Sequence, residues 1–510
     1  MEGHTQGHLK RNKEDVLFRI PKTSYFRTRY KEISVIIAHS SEIETKKSLI
    51  LKEKRLDLLG RVKMKKINFI QCEIKLQFTF KILFLLYMFS QSIVIFHRTI
   101  IVKCGLWSML SVGILVCLLR LCRIKDFIKA KGLIWLVLFL FSYMVSIICN
   151  RQYGIGADFA NLVILALAVF VIYVPEVGIN QKQIKKEMQI IEKVFIAVMN
   201  VSIVASLVML MIGYGDIWYY EDYILQVGII ENRLWGVFTV PNLAAIYSVV
   251  SVGLCLYFWD TTRNKIYYIV TILLDGLYLA FSDSRTGTVC LFVFAVFVSF
   301  MFLQRFCKIA KNYIVRFIVC ALVSLVMAGF FAAIPTQIQK VYNYVLINLE
   351  IENGDDEKVI KREYDLSQDV TNKRLEIWKS GMEIFMSKPI TGVGFHHIKA
   401  YAKSELPDTY LATHTGNFSH IHNEFLNILV SQGILGMIPF IIFVISSFIS
   451  ILGKYLKLLE EDYKKYTILL GCLITICAGI VLNEGVLYHY TPNALMFWLI
   501  LSYVRNVETD

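Results

Sequence analysis

Long apolar segments, separated by mostly short polar connections, repeat along nearly the whole chain. A helix needs about 20 apolar residues to cross a membrane, and most of these segments approach that length. We therefore predict an all-α, polytopic integral membrane protein with about twelve transmembrane helices. The predicted spans lie at about 82–96, 104–119, 132–149, 160–174, 190–212, 242–259, 266–281, 288–303, 317–334, 425–452, 467–482 and 491–504.

The same pattern divides the chain into four regions. Residues 1–80 are polar and basic, and we predict a cytoplasmic N-terminal segment; an alternative is that Met64 is the true start. Helices 1–9 are predicted within 81–335, and helices 10–12 within 425–510. The long polar stretch between them, 336–424, is predicted to form one large extracytoplasmic loop.

Composition supports the membrane class and gives it an orientation. The 510 residues are 56% hydrophobic, with mean hydropathy +0.55 and a formal net charge of +14. Lys and Arg concentrate in alternate connections, for example at 120–131 and 305–316, which the positive-inside rule assigns to the cytoplasm. Both termini are then cytoplasmic, and 336–424 faces outward. Topology accounts for the charge, so it does not indicate nucleic-acid binding. The absence of cysteine from 336–424 argues against a disulfide-bonded ectodomain.

The polar stretch contains one segment with a helical pattern. Four apolar residues recur at helical spacing and predict an amphipathic helix, which Pro389 and the turn 392–394 end. These residues are Leu375, Trp378, Met382 and Phe385.

Three arginines lie in outward connections, and the short ones among these connections contain few other basic residues. Arg233, Arg285 and Arg374 lie near predicted membrane ends. A guanidinium group binds phosphate oxygens through paired hydrogen bonds, which suits a pyrophosphate group. The alternatives are a structural ion pair, for example Arg285 with Asp283, an interfacial anchor, or, for Arg374, a solvated helix face.

A histidine and a carboxylate lie directly before the tenth apolar segment. His422, Asn423 and Glu424 make a candidate acid/base site, because imidazole titrates near physiological pH. One alternative is a hydrogen-bonded interfacial histidine. Another is a metal site that also includes His414 and His420, although the spacing fits no strong ligand signature. Walker and GxSxG motifs do not occur, so ATP-driven and serine-hydrolase chemistry have no support.

Four stretches, taken in order, resemble the O-antigen ligase/polymerase family. The resemblance covers about 230–450, whereas the N-terminal spans match only in hydrophobic character. The stretches are Arg233–Leu234–Trp235–Gly236 with Phe238, Pro241 and Asn242; Ser284–Arg285–Thr286–Gly287; Arg374 and Trp378 with Pro389 and Gly392–Val393–Gly394; and His422–Asn423–Glu424 with Leu429 and Gly433–Ile434–Leu435–Gly436.

The resemblance implies a membrane glycosyltransferase that uses an undecaprenyl-pyrophosphate-linked glycan. It places the protein in the bacterial cytoplasmic membrane, with the active site on the extracytoplasmic face. The implied binding residues for pyrophosphate and substrate are Arg233, Arg285, Arg374 and Asn423. His422 is the implied base, with Glu424. Direct displacement inverts the anomeric centre, and neither a cofactor nor a metal, ATP or a nucleotide sugar is required.

We predict a Wzy-type polysaccharide polymerase that joins lipid-linked repeat units. The nearest alternative is an O-antigen-type ligase that transfers the glycan to lipid A core, protein or a wall polymer. A transporter or flippase would favour ionisable residues at mid-span and internal repeats. Here the spans are mostly uncharged at their centres, with Asp275 as the main exception, and the two halves show no repeat. A structural scaffold would not need the outward arginines. Implied partners are membrane lipid, a flippase and a chain-length regulator, without nucleic acid.

Overall fold

The computed structural model describes residues 39, 46–47, 52, 69–97, 99–176, 180–220, 224–306, 311–350, 373–414 and 421–506. The chain divides into two compact units, Met1–Gln71 and Cys72–Asp510. Few residues of the first unit are described. The second unit is mostly helical and contains all of the predicted site residues.

Sixteen α-helices are described in the second unit, together with two short 3-10 helices. The 3-10 helices are Val94–Phe96 and Arg151–Tyr153. A π-helical turn, Ala168–Tyr173, continues α5. The α-helices are α1 (72–92), α2 (Ile100–Leu121), α3 (Ile124–Phe127), α4 (Leu133–Cys149), α5 (Gly156–Leu167), α6 (Gln181–Ile212), α7 (Pro241–Phe258), α8 (Lys265–Ser282), α9 (Arg285–Phe306), α10 (Tyr313–Glu350), α11 (Arg374–Ser387), α12 (Ile398–Glu405), α13 (Tyr410–Thr413), α14 (Glu424–Tyr455), α15 (Glu460–Leu482) and α16 (Pro492–Asn506).

Nine helices in the described part of the chain are long and apolar enough to cross a membrane. They are α2, α5 with its π-helical extension, α6, α7, α8, α9, α10, α14 and α15. The protein is therefore a polytopic integral membrane protein. The other three predicted spans coincide with α1, α4 and α16, so the count of twelve stays a prediction.

α10 and α1 extend farthest beyond the apolar segments that predicted them. α10 continues to Glu350, so the predicted 336–424 loop begins inside a helix, and α11 to α13 also lie within that loop. Residues 351–372 and 415–420 of the loop lie outside the described residues. α1 begins well before residue 82, because its early polar residues are four apart on one face and have buried partners. These contacts are Glu73 with Arg120 (3.3 Å), Gln77 with the carbonyl of Val171 (2.8 Å) and Lys81 with Glu176.

A three-stranded antiparallel sheet corrects the all-α prediction. β1 (Gly215–Tyr219), β2 (Ile224–Ile230) and β3 (Arg233–Gly236) pair in that order. The turn between β2 and β3 is Glu231–Asn232, and both residues have positive φ, 51° and 54°. Two positive φ values are what a two-residue type I′ hairpin turn requires. The strands are rich in Ile, Val, Trp and Tyr, which favour pleated, half-buried surfaces, and they are too short to appear as an apolar run.

α7 lies at the centre of the bundle. It packs against α6, α8, α9 and α15, and Ala244, Val249 and Leu254 are fully buried. Small residues allow this close packing: a Cβ on Gly253 would lie 2.4 Å from the sulfur of Cys472 on α15. The first turn of this central helix, which contains Asn242, therefore has a fixed position.

A break at Gly433 divides α14 into two helical parts. Gly433 has φ +65° and ψ −160°, a conformation that favours glycine. The chain segment 389–394 fills the break and pairs with the backbone groups that the break would leave without partners, as a protein interior at membrane depth requires. Four backbone hydrogen bonds make this connection: Ile434 N to Pro389 O (2.8 Å), Leu435 N to Ile390 O (3.2 Å), Val393 N to Val430 O (2.9 Å) and Gly394 N to Ser431 O (3.0 Å).

Candidate functional site

The predicted site residues gather at one end of the bundle, here called the site end. This end contains the last residues of α8 and α15 and the first residues of α7, α9, α11 and α14. Several chain segments that are distant in sequence meet there through side-chain hydrogen bonds.

Arg233 is the first residue of β3, and its side chain reaches α7 and the end of α8. Its Nε donates to the carbonyl oxygen of Ser282 (3.0 Å), and its Nη2 donates to Oδ1 of Asn242 (3.2 Å). Only 4% of Arg233 is exposed. The type I′ turn before β3 therefore aims this guanidinium group into the protein, beside the first turn of α9.

The same asparagine connects Arg233 to the beginning of α9. Ser284 Oγ donates to Asn242 Oδ1 (3.0 Å) and accepts from the backbone N–H of Gly287 (3.1 Å). Ser284 thus caps the helix that begins with Arg285, which is half-buried. An N-terminal helix end favours negative charge, because its backbone N–H groups are not all used within the helix.

Arg374 joins this cluster from α11. It is the first residue of that helix, it is half-buried, and its Nη2 donates to Oγ1 of Thr286 at 3.5 Å. Arg233 and Arg374 therefore contact chain segments on either side of Arg285. The three predicted arginines lie together, so positive charge is concentrated at the beginning of α9.

His422 faces a carboxylate that the sequence did not identify. Its Nδ1 lies 3.9 Å from Oε1 of Glu484, and about a third of the His422 side chain (33%) is exposed. Glu484 is buried and accepts from Nδ2 of Asn427 (3.0 Å). His422 has φ +53°, which is uncommon for a residue other than glycine and is associated with functional sites. The exposed third of the side chain makes His422 accessible to a ligand.

Glu424, predicted to act with His422, is held by the backbone instead. It is 1% exposed, and its carboxylate accepts from the N–H groups of Gly485, Leu487 and Tyr488. These bonds connect the start of α14 to the connection that carries Glu484. Burial, and next the Glu424 charge, raises the pKa of the Tyr488 phenol well above its usual value.

Asn423 is the N-cap of α14. Its Oδ1 accepts from the backbone N–H of Leu426 (3.0 Å), a contact that asparagine at this position commonly makes. Its side-chain oxygen therefore caps the beginning of the helix, beside His422. Its predicted role in binding substrate stays a prediction.

α11 connects the arginines with His422. Gly381 lies against Ile421 and Leu426, since a Cβ there would be 3.2–3.3 Å from their side chains. Gly381 is two turns along α11 from Arg374, a rise of about 10 Å. The arginine cluster and His422 thus lie at two points along one short helix.

The buried face of α11 lies beside the apolar stripe that predicted the helix. The helix itself is confirmed, but Leu375 and Met382 are 59% and 42% exposed, whereas Ile377 and Ile384 are fully buried. Both stripes are apolar, and the periodicity of the sequence does not say which one faces the core.

A second histidine and carboxylate pair lies at the site end. Nδ1 of His397 is 3.3 Å from Oδ2 of Asp158, and the His397 side chain is 5% exposed. Asp158 Oδ1 also accepts from the Tyr143 hydroxyl (2.6 Å) and the His396 N–H (3.0 Å). Asp158 was not identified from the sequence, in which it appears as one acidic residue before an apolar run.

Three further polar residues complete the site: Asn242, Asn427 and Glu484. Asn242 was named only as part of the family motif, without a role, and the other two were missed. Glu484 gave one signal, an acidic residue in a connection that has no basic residue. Among the described side chains, no group of three or more His, Cys, Asp or Glu residues is arranged to hold a metal ion. His420, from the alternative metal site, lies outside the described residues.

Comparison with known proteins finds a family match over the centre of the site. Residues 268–441 match the family described as O-antigen ligase (Wzy_C). An uncharacterized protein of Haemophilus influenzae is 22% identical over 210 residues, which cover 40% of this chain and 48% of that protein. The exopolysaccharide production protein ExoQ of Rhizobium meliloti is 25% identical over 131 residues, which cover 24% of this chain and 29% of that protein.

The chain therefore spans about half of the first relative and less of the second. The family match contains Arg285, Arg374 and His422, whereas Arg233 precedes it and Glu484 follows it. The match confirms the resemblance that the motifs predicted: this multi-pass membrane protein is similar, over 268–441, to the O-antigen ligase family of membrane enzymes in polysaccharide biosynthesis.

Proposed function

We propose that this protein is a polysaccharide polymerase that joins glycan repeat units carried on undecaprenyl pyrophosphate. The observation that carries the proposal is the pairing of an accessible histidine with a concentrated positive site. His422 is partly exposed beside Glu484. Arg374, two turns along the helix that packs beside His422, contacts the first turn of α9.

The arginine cluster suits a pyrophosphate group. Arg285 and Arg374 are half-buried, so they combine access from outside with partial exclusion of water, which strengthens electrostatic interactions. Arg233, more deeply buried, holds Asn242 and the Ser282 carbonyl and so positions the beginning of α9. Its charge adds to the field at the same point.

His422 acts as the general base. A hydroxyl of the acceptor sugar attacks the anomeric carbon of the donor, and Nε2 of His422 takes the hydroxyl proton. A glycosidic bond forms as the bond between the anomeric carbon and the pyrophosphate oxygen breaks. Undecaprenyl pyrophosphate leaves with the bonding electron pair, and the arginines stabilise the negative charge that develops on it. A single displacement inverts the anomeric centre, and this route uses no metal and no cofactor.

The two glutamates have different roles in this proposal. Glu484 faces Nδ1 of His422 and orients the ring, as a carboxylate does in other histidine bases. Glu424 fixes the connection 485–488 against the beginning of α14. We therefore assign Glu424 to positioning and replace it with Glu484 as the partner of the base.

The site end faces outward in the bacterial cytoplasmic membrane. The alternation of basic connections supports this orientation: Arg120, Arg305 and Arg505 all lie at the other end of their helices. Twelve spans put both termini in the cytoplasm. A flippase that delivers the lipid-linked unit and a chain-length regulator are the expected partners.

A ligase is the second candidate, and the description of the matched family favours it. It would use the same donor and the same residues but transfer the glycan once, to lipid A core, protein or a wall polymer. The relative ExoQ, named for exopolysaccharide production, favours the polymerase.

Product length from the purified protein separates these functions. The full chain in nanodiscs is supplied with the lipid-linked repeat unit of its own host, without ATP, and products are resolved by size. A ladder supports the polymerase. A single transfer to an added acceptor, without a ladder, establishes the ligase. If the wild type is inert with authentic substrate, transport becomes the leading interpretation.

Matched variants test the site in the same assay. His422→Ala and Arg285→Ala are expected to abolish the ladder. His414→Ala, an exposed histidine stacked on Tyr410, and Arg263→Ala, between α7 and α8 at the other end of the bundle, serve as controls. Equal activity of the site and control variants would contradict the assignment.

A further inference from the structure

α11 has two apolar faces, and only one of them contacts the protein core. Ile377 and Ile384 are fully buried, and Gly381 between them packs on Ile421 and Leu426. On the other face, three apolar side chains are exposed in the absence of a membrane. They are Leu375 (59%), Met382 (42%) and Met386 (69%), spaced seven and four residues apart and therefore on one side of the helix.

The exposed face continues onto the membrane-spanning surface of α14. Ile390, 63% exposed, follows Met386 by four residues, and its carbonyl accepts from the N–H of Leu435. The stripe formed by Leu375, Met382, Met386 and Ile390 is called the α11 stripe. It is adjacent to exposed apolar side chains of α14, namely Ile434 (43%), Leu435 (45%) and Ile438 (53%).

The length of α14 places this junction at a membrane boundary. After the break at Gly433, the helix runs from Ile434 to Tyr455, which is about 33 Å at 1.5 Å per residue. That length matches a hydrocarbon core of about 30 Å. Ile390 and Ile434 therefore lie where the hydrocarbon begins, and α11 lies just beyond it, in the headgroup region.

We propose that α11 is a membrane-surface helix whose α11 stripe inserts into the lipid leaflet at the site end. The stripe contacts lipid at the boundary between headgroups and acyl chains, where amphipathic helices bury their apolar face. Lys379 lies on the same side, between Leu375 and Met382, and its long side chain can extend the ammonium group to the headgroups. Glu376 and Glu383 lie about 100° round the helix from Leu375 and Met382. The proposal rests on the continuity of the stripe with α14 and is independent of the proposed reaction.

Photo-crosslinking to lipid tests this placement with neighbouring residues. The full chain, with p-benzoylphenylalanine at position 382, 386 or 383, is irradiated in nanodiscs of phosphatidylethanolamine and phosphatidylglycerol, and adducts are identified by intact mass. Met382 and Glu383 are both exposed, so 383 is the matched control. A phospholipid adduct is expected with the label at 382 or 386, and no such adduct is expected with the label at 383.

Two results would overturn the proposal: equal lipid adducts at 382 and 383, or an adduct to a second copy of the chain instead of lipid. A second measurement needs no unnatural residue. Trp378 flanks the stripe, and the fluorescence difference between wild type and Trp378→Phe isolates its emission. Brominated phospholipids are expected to quench that difference signal, and an unquenched signal would also contradict the insertion of α11.

Discussion

His422 and His397 each have Nδ1 within 4 Å of a buried carboxylate, yet their surroundings differ. His422 is 33% exposed and lies 3.9 Å from Glu484. His397 is 5% exposed and lies 3.3 Å from Asp158, which also binds the Tyr143 hydroxyl and the His396 N–H. The backbone differs too: φ is +53° at His422 and −95° at His397.

A histidine beside a carboxylate is therefore not enough to make a general base. A general base needs a nitrogen that a substrate hydroxyl can reach, and only His422 combines a carboxylate partner with exposure. The closer His397–Asp158 contact is enclosed, where it joins the turn after 392–394 to the beginning of α5. In the proposed function, the exposed pair is placed for chemistry, and the enclosed pair holds the site end together.

Among the variants considered, His422→Ala should have the largest effect, a loss of activity. Loss of the base should slow chain extension by about 10²–10⁴-fold, while the melting temperature stays close to that of wild type because the side chain is partly exposed. Initial rates in nanodiscs and thermal unfolding in detergent measure the two effects. Full activity of this variant would contradict the assignment of His422, but not His397, as the base.

The same substitution at His397 should act on stability instead. His397→Ala removes one of the polar groups around the buried Asp158 carboxylate, which should cost about 1–3 kcal/mol. The melting temperature should fall, while activity per folded molecule remains. A variant with normal stability but no activity would make His397, too, a participant in the reaction.

Glu484→Gln should give a smaller effect that sharpens the role of the carboxylate. The glutamine keeps the size of the side chain and an oxygen for Asn427, but it removes the charge that faces His422. By analogy with carboxylates that orient metal-binding histidines, activity should fall by about 10–100-fold. The loss should appear in kcat with little change in KM, and a change confined to KM would assign Glu484 to substrate binding.

Removal of metal ions should have no effect. The described residues contain no group of three ligands suited to a metal, and the arginines supply the positive charge in the proposed reaction. Chain extension should therefore be equal with and without EDTA. Activity that is lost with EDTA and restored by Zn²⁺ would instead place a metal near His422.

Local patterns in the sequence predicted much of the fold. The apolar segments coincide with helices, and the motif order brought together residues that the structure places at one end of the bundle. The beginning of α1 was predicted too late, because Glu73 and Lys81 lower the local hydropathy. Both are buried beside partners that are distant in sequence. The hairpin before Arg233 was missed because its turn, Glu231–Asn232, lacks glycine.

Contacts between distant segments could not be predicted. Glu484 meets His422 across 62 residues of sequence, and no local pattern links them. The choice between the two apolar stripes of α11 depends on Ile421 and Leu426, which the periodicity of α11 does not contain. These features follow from packing, and packing is a property of the whole bundle.

The break at Gly433 also sets an order of events during biosynthesis. Segment 389–394 leaves the ribosome first, but its backbone partners in α14 follow roughly 40 residues later. Since chains are synthesised from the N terminus at about 5–20 residues per second, the segment waits for seconds without these partners. Nascent chains that end before residue 430 should be cut by added protease at 389–394, whereas chains that extend past 455 should be protected. The site end is thus completed only after α14 has entered the membrane, so quality control of the newly made protein and assembly of the proposed active site depend on the same late step.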